Sequence, residues 1–372
     1  MPAAGLKDQR EVNILDGSTG YVLLSKGLPE DGMFQKIWSA SALLDERHHP
    51  LVVGTHKAYM EVGATSITTN SYATQPTYYE KTFGDAFEPL MLQHAELSAR
   101  LAVQARKEHV AAYPGAQIRI LGSLPPLVES HRPDLFAKAL ADKGEAYFVH
   151  HYGQLASALL KGGVDALLFE TLNSWEEARL GLEALRQLAI DHVPIIVSFE
   201  GSIRDEALVP QPQLAPWLCD QVLQAKADGA LPIEAIGFNC APPEDIVDNL
   251  EAMRGAGALD RLRGQGVGLV VYANLHEREI YDQGFDVGAV DAAEHSSPGG
   301  ASPPPSGAPG SPAVRKREDL KGSGNVRFAL RFAREFGACA VGGCCGCGPD
   351  GIADIHRYLT GPPEPPEAVL GS

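Results

Sequence analysis

Short apolar runs alternate with longer amphipathic stretches along the whole chain. The runs fall at 12–16 (VNILD), 66–70 (SITTN), 118–123 (IRILGS), 166–171 (ALLFET), 194–200 (PIIVSFE), 235–240 (AIGFNC), 268–274 (GLVVYAN) and 338–344 (ACAVGGC). Apolar runs of this length predict strands covered on both faces, and the periodic stretches between them predict helices. One helix is predicted over 174–189, where Ser174 and Glu177 make an S-x-x-E capping box ahead of leucines at helical spacing. Another is predicted over 134–161, stopped by Gly162 and Gly163. Eight strands alternating with helices predict an α/β fold, a (β/α)8 TIM barrel over residues 8–360, whose active site is built at the C-terminal ends of the strands. The alternative is a doubly wound open sheet. That fold usually carries a Gly-rich phosphate loop after its first strand, and DGSTG at 16–20 is not one.

One segment breaks the alternation. Every residue over 296–312 (SSPGGASPPPSGAPGSP) is Ser, Pro, Gly or Ala, a composition that cannot bury apolar surface. We therefore read 291–320 as a flexible insertion between strands seven and eight, an inert linker or a mobile segment over the pocket, and 361–372 as a disordered tail.

Charge and composition narrow the partners. With 31 basic and 47 acidic side chains in 372 residues the chain carries −16, which repels nucleic acid and anionic membrane surfaces. Length alone suggests about two to three domains at ~150 residues each, whereas a barrel uses the same length as one. Residues 1–10 (MPAAGLKDQR) hold no apolar targeting core, and no run of ~18 apolar residues occurs. A cytoplasmic, reducing location is the expectation, and there clustered cysteines bind metal or do chemistry more often than they form bridges.

The six cysteines are unevenly placed. Cys219 on a predicted helix and Cys339 inside an apolar strand read as small core residues. Cys344 and Cys345 are adjacent within GGCCG at the end of the eighth run, and Cys240 ends the sixth. Adjacent residues of an extended strand face opposite ways, so Cys344 and Cys345 reach one site only if the backbone turns there, which Gly343 and Gly346 permit. Three convergent thiolates suit Zn(2+), leaving a fourth position for water or substrate. Cys347 is left open between a bystander, a redox partner and a substitute ligand. Asp16 and Gly17 also read as a simple turn, Glu170 as a helix cap, and Tyr72 and Tyr272 as packing aromatics; Tyr272 and Asn274 are weaker pocket candidates.

Taken in order, Asp16-Gly17, TTNSY at 68–72, Gly122-Ser123, FET at 169–171, Asn239-Cys240 and GGCCG resemble the homocysteine S-methyltransferase family, which includes the betaine-using enzymes. The resemblance runs from Asp16 to about His356. It implies that Cys240, Cys344 and Cys345 ligate zinc and that the homocysteine thiolate takes the fourth position. It also implies that Glu170 receives the substrate amino group, that Asp16, Gly17, Thr68 and Asn239 hold the amino-acid end, and that Tyr72 stands near the metal. The expected reaction is methyl transfer from a sulfonium or other onium donor, S-methylmethionine or S-adenosylmethionine before betaine, to L-homocysteine, giving methionine; no general acid is called for. The chain differs from many relatives at Cys347-Gly348 before Pro349 and at GSLPPL over 122–127, beside the donor pocket. The short stretch after the last strand leads us to expect neither a cobalamin or folate module nor a betaine-type C-terminal arm. A zinc- or thiol-binding sensor and a thiol–disulfide enzyme are the competing readings, and the oligomeric state is left open.

Overall fold

The computed structural model describes residues 12–202, 209, 212–229, 231–275 and 317–361. All eight apolar runs form strands: β1 (Asn13–Ile14), β2 (Ser66–Thr68), β3 (Arg119–Leu124), β4 (Ala166–Leu172), β5 (Ile195–Glu200), β6 (Ile233–Asn239), β7 (Gly268–Ala273) and β8 (Ala340–Gly343). Neighbours pair in parallel in the order β1-β8-β7-β6-β5-β4-β3-β2. A parallel bridge between Leu15 and Ser66 joins the two ends, with Asp16 N donating to Ser66 O at 3.1 Å. The result is the (β/α)8 barrel expected from the pattern.

Strand parity decides what faces the barrel axis. Leu15, Leu121, Leu168, Ile196, Val270 and Ala340 fill the interior, while Ile67, Phe169, Val197, Ile236 and Val341 pack against the helical shell. At the floor, the interior positions Arg119 and Glu234 form an ion pair between β3 and β6. Continuing the same parity upward places Thr68, Ser123, Glu170, Ser198, Asn239, Tyr272 and Cys344 around the mouth.

The helix over 174–189 is found as Trp175–Gln187, and Ser174 Oγ accepts from Glu177 N at 3.1 Å. The helix expected over 134–161 is two helices, Pro133–Lys143 and Glu145–Gly162. They meet at Gly144, whose φ of 76° no continuous α-helix accommodates, and the second ends on left-handed Gly163 as anticipated. Residues 296–312 and the tail beyond 361 lie outside the described residues. Among the described residues no helix is long and apolar enough to cross a membrane.

Candidate functional site

Cys240, Cys344 and Cys345 come together at the mouth, with their sulfurs all within 4.8 Å of one another. Only Cys344 arrives there by strand parity. Cys240 follows the inward Asn239 and would point toward the helices, but a φ of 54° rolls it back to the mouth. Cys345 is turned by the bend anticipated from the glycines: Cys347 N donates to Cys344 O at 3.0 Å, and Gly346 supplies the positive φ (80°) at the third position of the turn. All three cysteines, on two segments, hang on β7 and its extension. Cys240 N bonds to Tyr272 O at 3.2 Å, Cys344 N to Ala273 O at 2.8 Å, and Cys345 N to Asn274 Oδ1 at 2.9 Å.

Tetrahedral zinc with Zn–S bonds of ~2.3 Å separates its sulfurs by roughly 3.8 Å. Cys240 and Cys345 lie 3.9 Å apart, so this donor set fits the ion in both chemistry and spacing. All six cysteines are free. Cys219 is fully buried, and Cys339 donates to Leu269 O at 3.2 Å in the lower barrel. Cys347 is a buried core residue outside the trio. Its carbonyl accepts from Tyr59 OH at 3.0 Å and Ser18 N at 2.9 Å, and a Cβ on Gly343 would overlap its sulfur. The glycine before the cysteine pair is thus required by Cys347.

A cleft of about 1120 Å³, counted to its open mouth, runs from the cysteines outward. Asp16, Gly17, Thr68, Tyr72 and Glu170 line it. Asp16 accepts from Thr68 N at 2.8 Å and from Thr68 Oγ1 at 3.1 Å. Glu170 accepts from Ser123 Oγ and, at 3.2 Å, from Tyr272 OH. Burial pushes the Asp16 carboxyl up to about 8, against the Thr68 hydrogen bonds and helped by the charge of Glu170. Burial likewise raises Glu170 to about 7, opposed by Ser123 and Tyr272. Tyr72 hydrogen-bonds Ser130 through its hydroxyl, and burial raises its phenol.

Asn239 is not among the residues lining the cleft. It is fully buried: Oδ1 accepts from Thr171 N at 3.0 Å and Ser198 Oγ at 2.7 Å, and Nδ2 donates to Thr171 Oγ1 at 2.7 Å. Thr171, like Cys240, has a left-handed backbone (φ 58°). One amide therefore holds the strained end of β4 beside the strained Cys240, where such strain costs roughly 1–3 kcal/mol per residue. Asn239→Ala leaves Thr171 N without that acceptor, and we expect a loss of about 2 kcal/mol, read as a lowered denaturant midpoint.

Sequence reasoning did not single out Trp38, Tyr78, Ser130 or His131, which also line the cleft. All but Tyr78 lie outside α-helices and strands, so no period marks them.

A sequence model of the family "Homocysteine S-methyltransferase" matches residues 13–359. Homocysteine S-methyltransferase 2 of Zea mays is 24% identical, with 97% of this chain and 96% of that protein covered. A betaine-homocysteine S-methyltransferase of Drosophila melanogaster is 25% identical, with 91% of each covered. The structure of the homocysteine methyltransferase MmuM from Escherichia coli, metallated form, superposes with a TM-score of 0.61 at 21% identity, covering 94% of this chain and 96% of that one, a likeness of fold.

Proposed function

The chain belongs to the homocysteine S-methyltransferase family, whose members are methyltransferase enzymes, and we propose that it is a zinc-dependent enzyme transferring a methyl group from an onium donor to L-homocysteine. The observation that carries this reading is the convergence of three cysteine sulfurs at zinc-like spacing on a cleft lined by two buried carboxyls. Zinc held by Cys240, Cys344 and Cys345 would strip the homocysteine thiol of its proton and keep the sulfur available as a thiolate.

The remaining work falls to the chain's own residues. Glu170, fixed by Ser123 and Tyr272, receives the substrate ammonium. Asp16, fixed by Thr68, adds a second negative group, and Gly17 lets this turn lie against the chain at Cys347, whose carbonyl oxygen a Cβ there would overlap. This anchoring at the amino-acid end aims the substrate sulfur at the cysteines. The thiolate attacks the donor methyl carbon as the bond from carbon to the positively charged atom breaks, leaving a neutral thioether or amine. The donor arrives activated, so no general acid is required. A reducing cytosol keeps the three thiols available for metal.

Trp38, Tyr72 and Tyr78 place aromatic side chains in the lining of the same cleft, which favours a cationic donor over a neutral one. We place S-methylmethionine and S-adenosylmethionine ahead of betaine. The test is methionine formation from homocysteine with each donor in turn. The expected result is turnover with a sulfonium, at a rate at least tenfold above that with betaine. Turnover with betaine alone overturns the donor assignment, and none with any onium donor overturns the enzymatic reading in favour of a thiol-binding barrel.

A further inference from the structure

The three cysteines are not equivalent in their surroundings. Asn274 sits two residues beyond the inward Tyr272 and is fully buried. Its Nδ2 donates to Cys240 Sγ at 3.7 Å, while its Oδ1 accepts from Cys345 N at 2.9 Å. Its own backbone N bonds to Ala241 O at 2.9 Å. One side chain thereby fixes the ligand from β6 against the ligand from the turn after β8, although β7 itself carries no ligand.

A second group reaches the same sulfur. His131 Nε2 lies 3.8 Å from Cys240 Sγ, from the cleft wall after β3. His131 is held in a left-handed conformation (φ 61°), and its Nδ1 faces Glu200 Oε1 at 3.5 Å, with the two side chains only 6% and 8% exposed. Glu200 is the next inward position of β5 after Ser198, and its Oε1 accepts from Ser202 N at 2.8 Å. A carboxylate behind a histidine beside a metal centre fixes the ring's orientation. Here the ring's far nitrogen is aimed at a ligand atom.

Resting on the reading of Cys240, Cys344 and Cys345 as metal ligands, we infer that Asn274 and the Glu200-backed His131 are positioning residues that brace the Cys240 thiolate. The amide N–H of Asn274 donates to this one sulfur, and the His131 ring, oriented by Glu200, packs against it and fixes its position. A buried thiolate without such partners bears the full desolvation cost of its charge.

The test uses Co(II) alone as the metal, with affinity read by chelator competition and the sulfur-to-cobalt charge-transfer band read in the same samples. In Asn274→Ala and His131→Ala we expect affinity to fall by about 10–100-fold and the band to shift. Glu200→Gln gives a smaller change in the same direction. The double variant His131→Ala/Glu200→Gln is no weaker than His131→Ala, because Glu200 acts through the ring. Wild-type affinity and an unmoved band in folded His131→Ala and Asn274→Ala overturn the inference. Should Asn274→Ala not fold, the His131 and Glu200 variants decide alone. Absence of any sulfur-to-cobalt band in the wild type instead overturns the metal-centre reading, so the two failures are distinct.

Discussion

Changing any one of Cys240, Cys344 and Cys345 to alanine is expected to strip the bound metal and lower methyl transfer by on the order of 10³-fold. The sulfurs converge from two strand ends, and two remaining thiolates make a poor zinc site, because a site open to substrate still needs three protein ligands. Apparent zinc affinities of cysteine-rich sites amount to ~10–16 kcal/mol, so losing one ligand in three is a large loss on any partition. Without the ion, a substrate thiol of pKa ~8.5 is only a few per cent thiolate at pH 7, and the field that orients its sulfur is gone. Metal polarisation is worth several kcal/mol, which sets the scale of the rate loss. Cys219→Ala, in the helix Leu214–Ala227 away from the cleft, is the matched control and should keep both metal and activity. Metal analysis of the purified variants decides: full retention in all three cysteine variants overturns the assignment.

These cysteines also show where sequence is readable and where it is not. The eight strands were legible because each is an apolar run covered on both faces, and period-two parity then carried Glu170 and Cys344 to the mouth. Parity places Cys240 on the wrong face. It reaches the site only through a left-handed backbone, next to an Asn239–Thr171 contact between β4 and β6 that no local pattern announces. For the same reason Asn239, expected at the substrate, is found bonded to Thr171 and Ser198 and outside the cleft lining. Cys347 could not be assigned from a CxC spacing, since its role depends on Gly343, Tyr59 and Ser18 meeting it in space. Gly144 was read through as helix because a single glycine is tolerated in a helical pattern; only its dihedral separates the two helices.

Binding of the amino-acid end of the substrate is expected to weaken steeply as pH falls below about 8. L-Methionine is the ligand to use, because it presents the same ammonium without a thiol that would release its own proton to the metal. In the empty site burial holds Asp16 at about 8 and Glu170 at about 7, so near neutrality both retain protons that an incoming ammonium must displace. Each displaced proton contributes about a tenfold change in affinity per pH unit below the pKa concerned. The dissociation constant for methionine should therefore rise about tenfold from pH 8 to 7, and by up to 100-fold per unit below about 7. The stability of the empty protein has the opposite sign. Both groups bind more protons folded than unfolded, between ordinary values of 3.8 and 4.5 and folded values of about 8 and 7. Their contribution is complete below the unfolded values and is lost as pH rises through the folded ones. The gain in Tm on adding methionine should accordingly grow from pH 6 to pH 8. Glu170→Gln removes the titrating group and one charged partner of the ammonium, a hydrogen bond worth about 1.5–3 kcal/mol. We expect about a 10–100-fold rise in KM for homocysteine, a smaller change in kcat, and a pH profile for methionine binding shallower by one proton. A methionine affinity independent of pH between 6 and 8, or a Glu170→Gln profile as steep as the wild type, would show that the ammonium is held elsewhere.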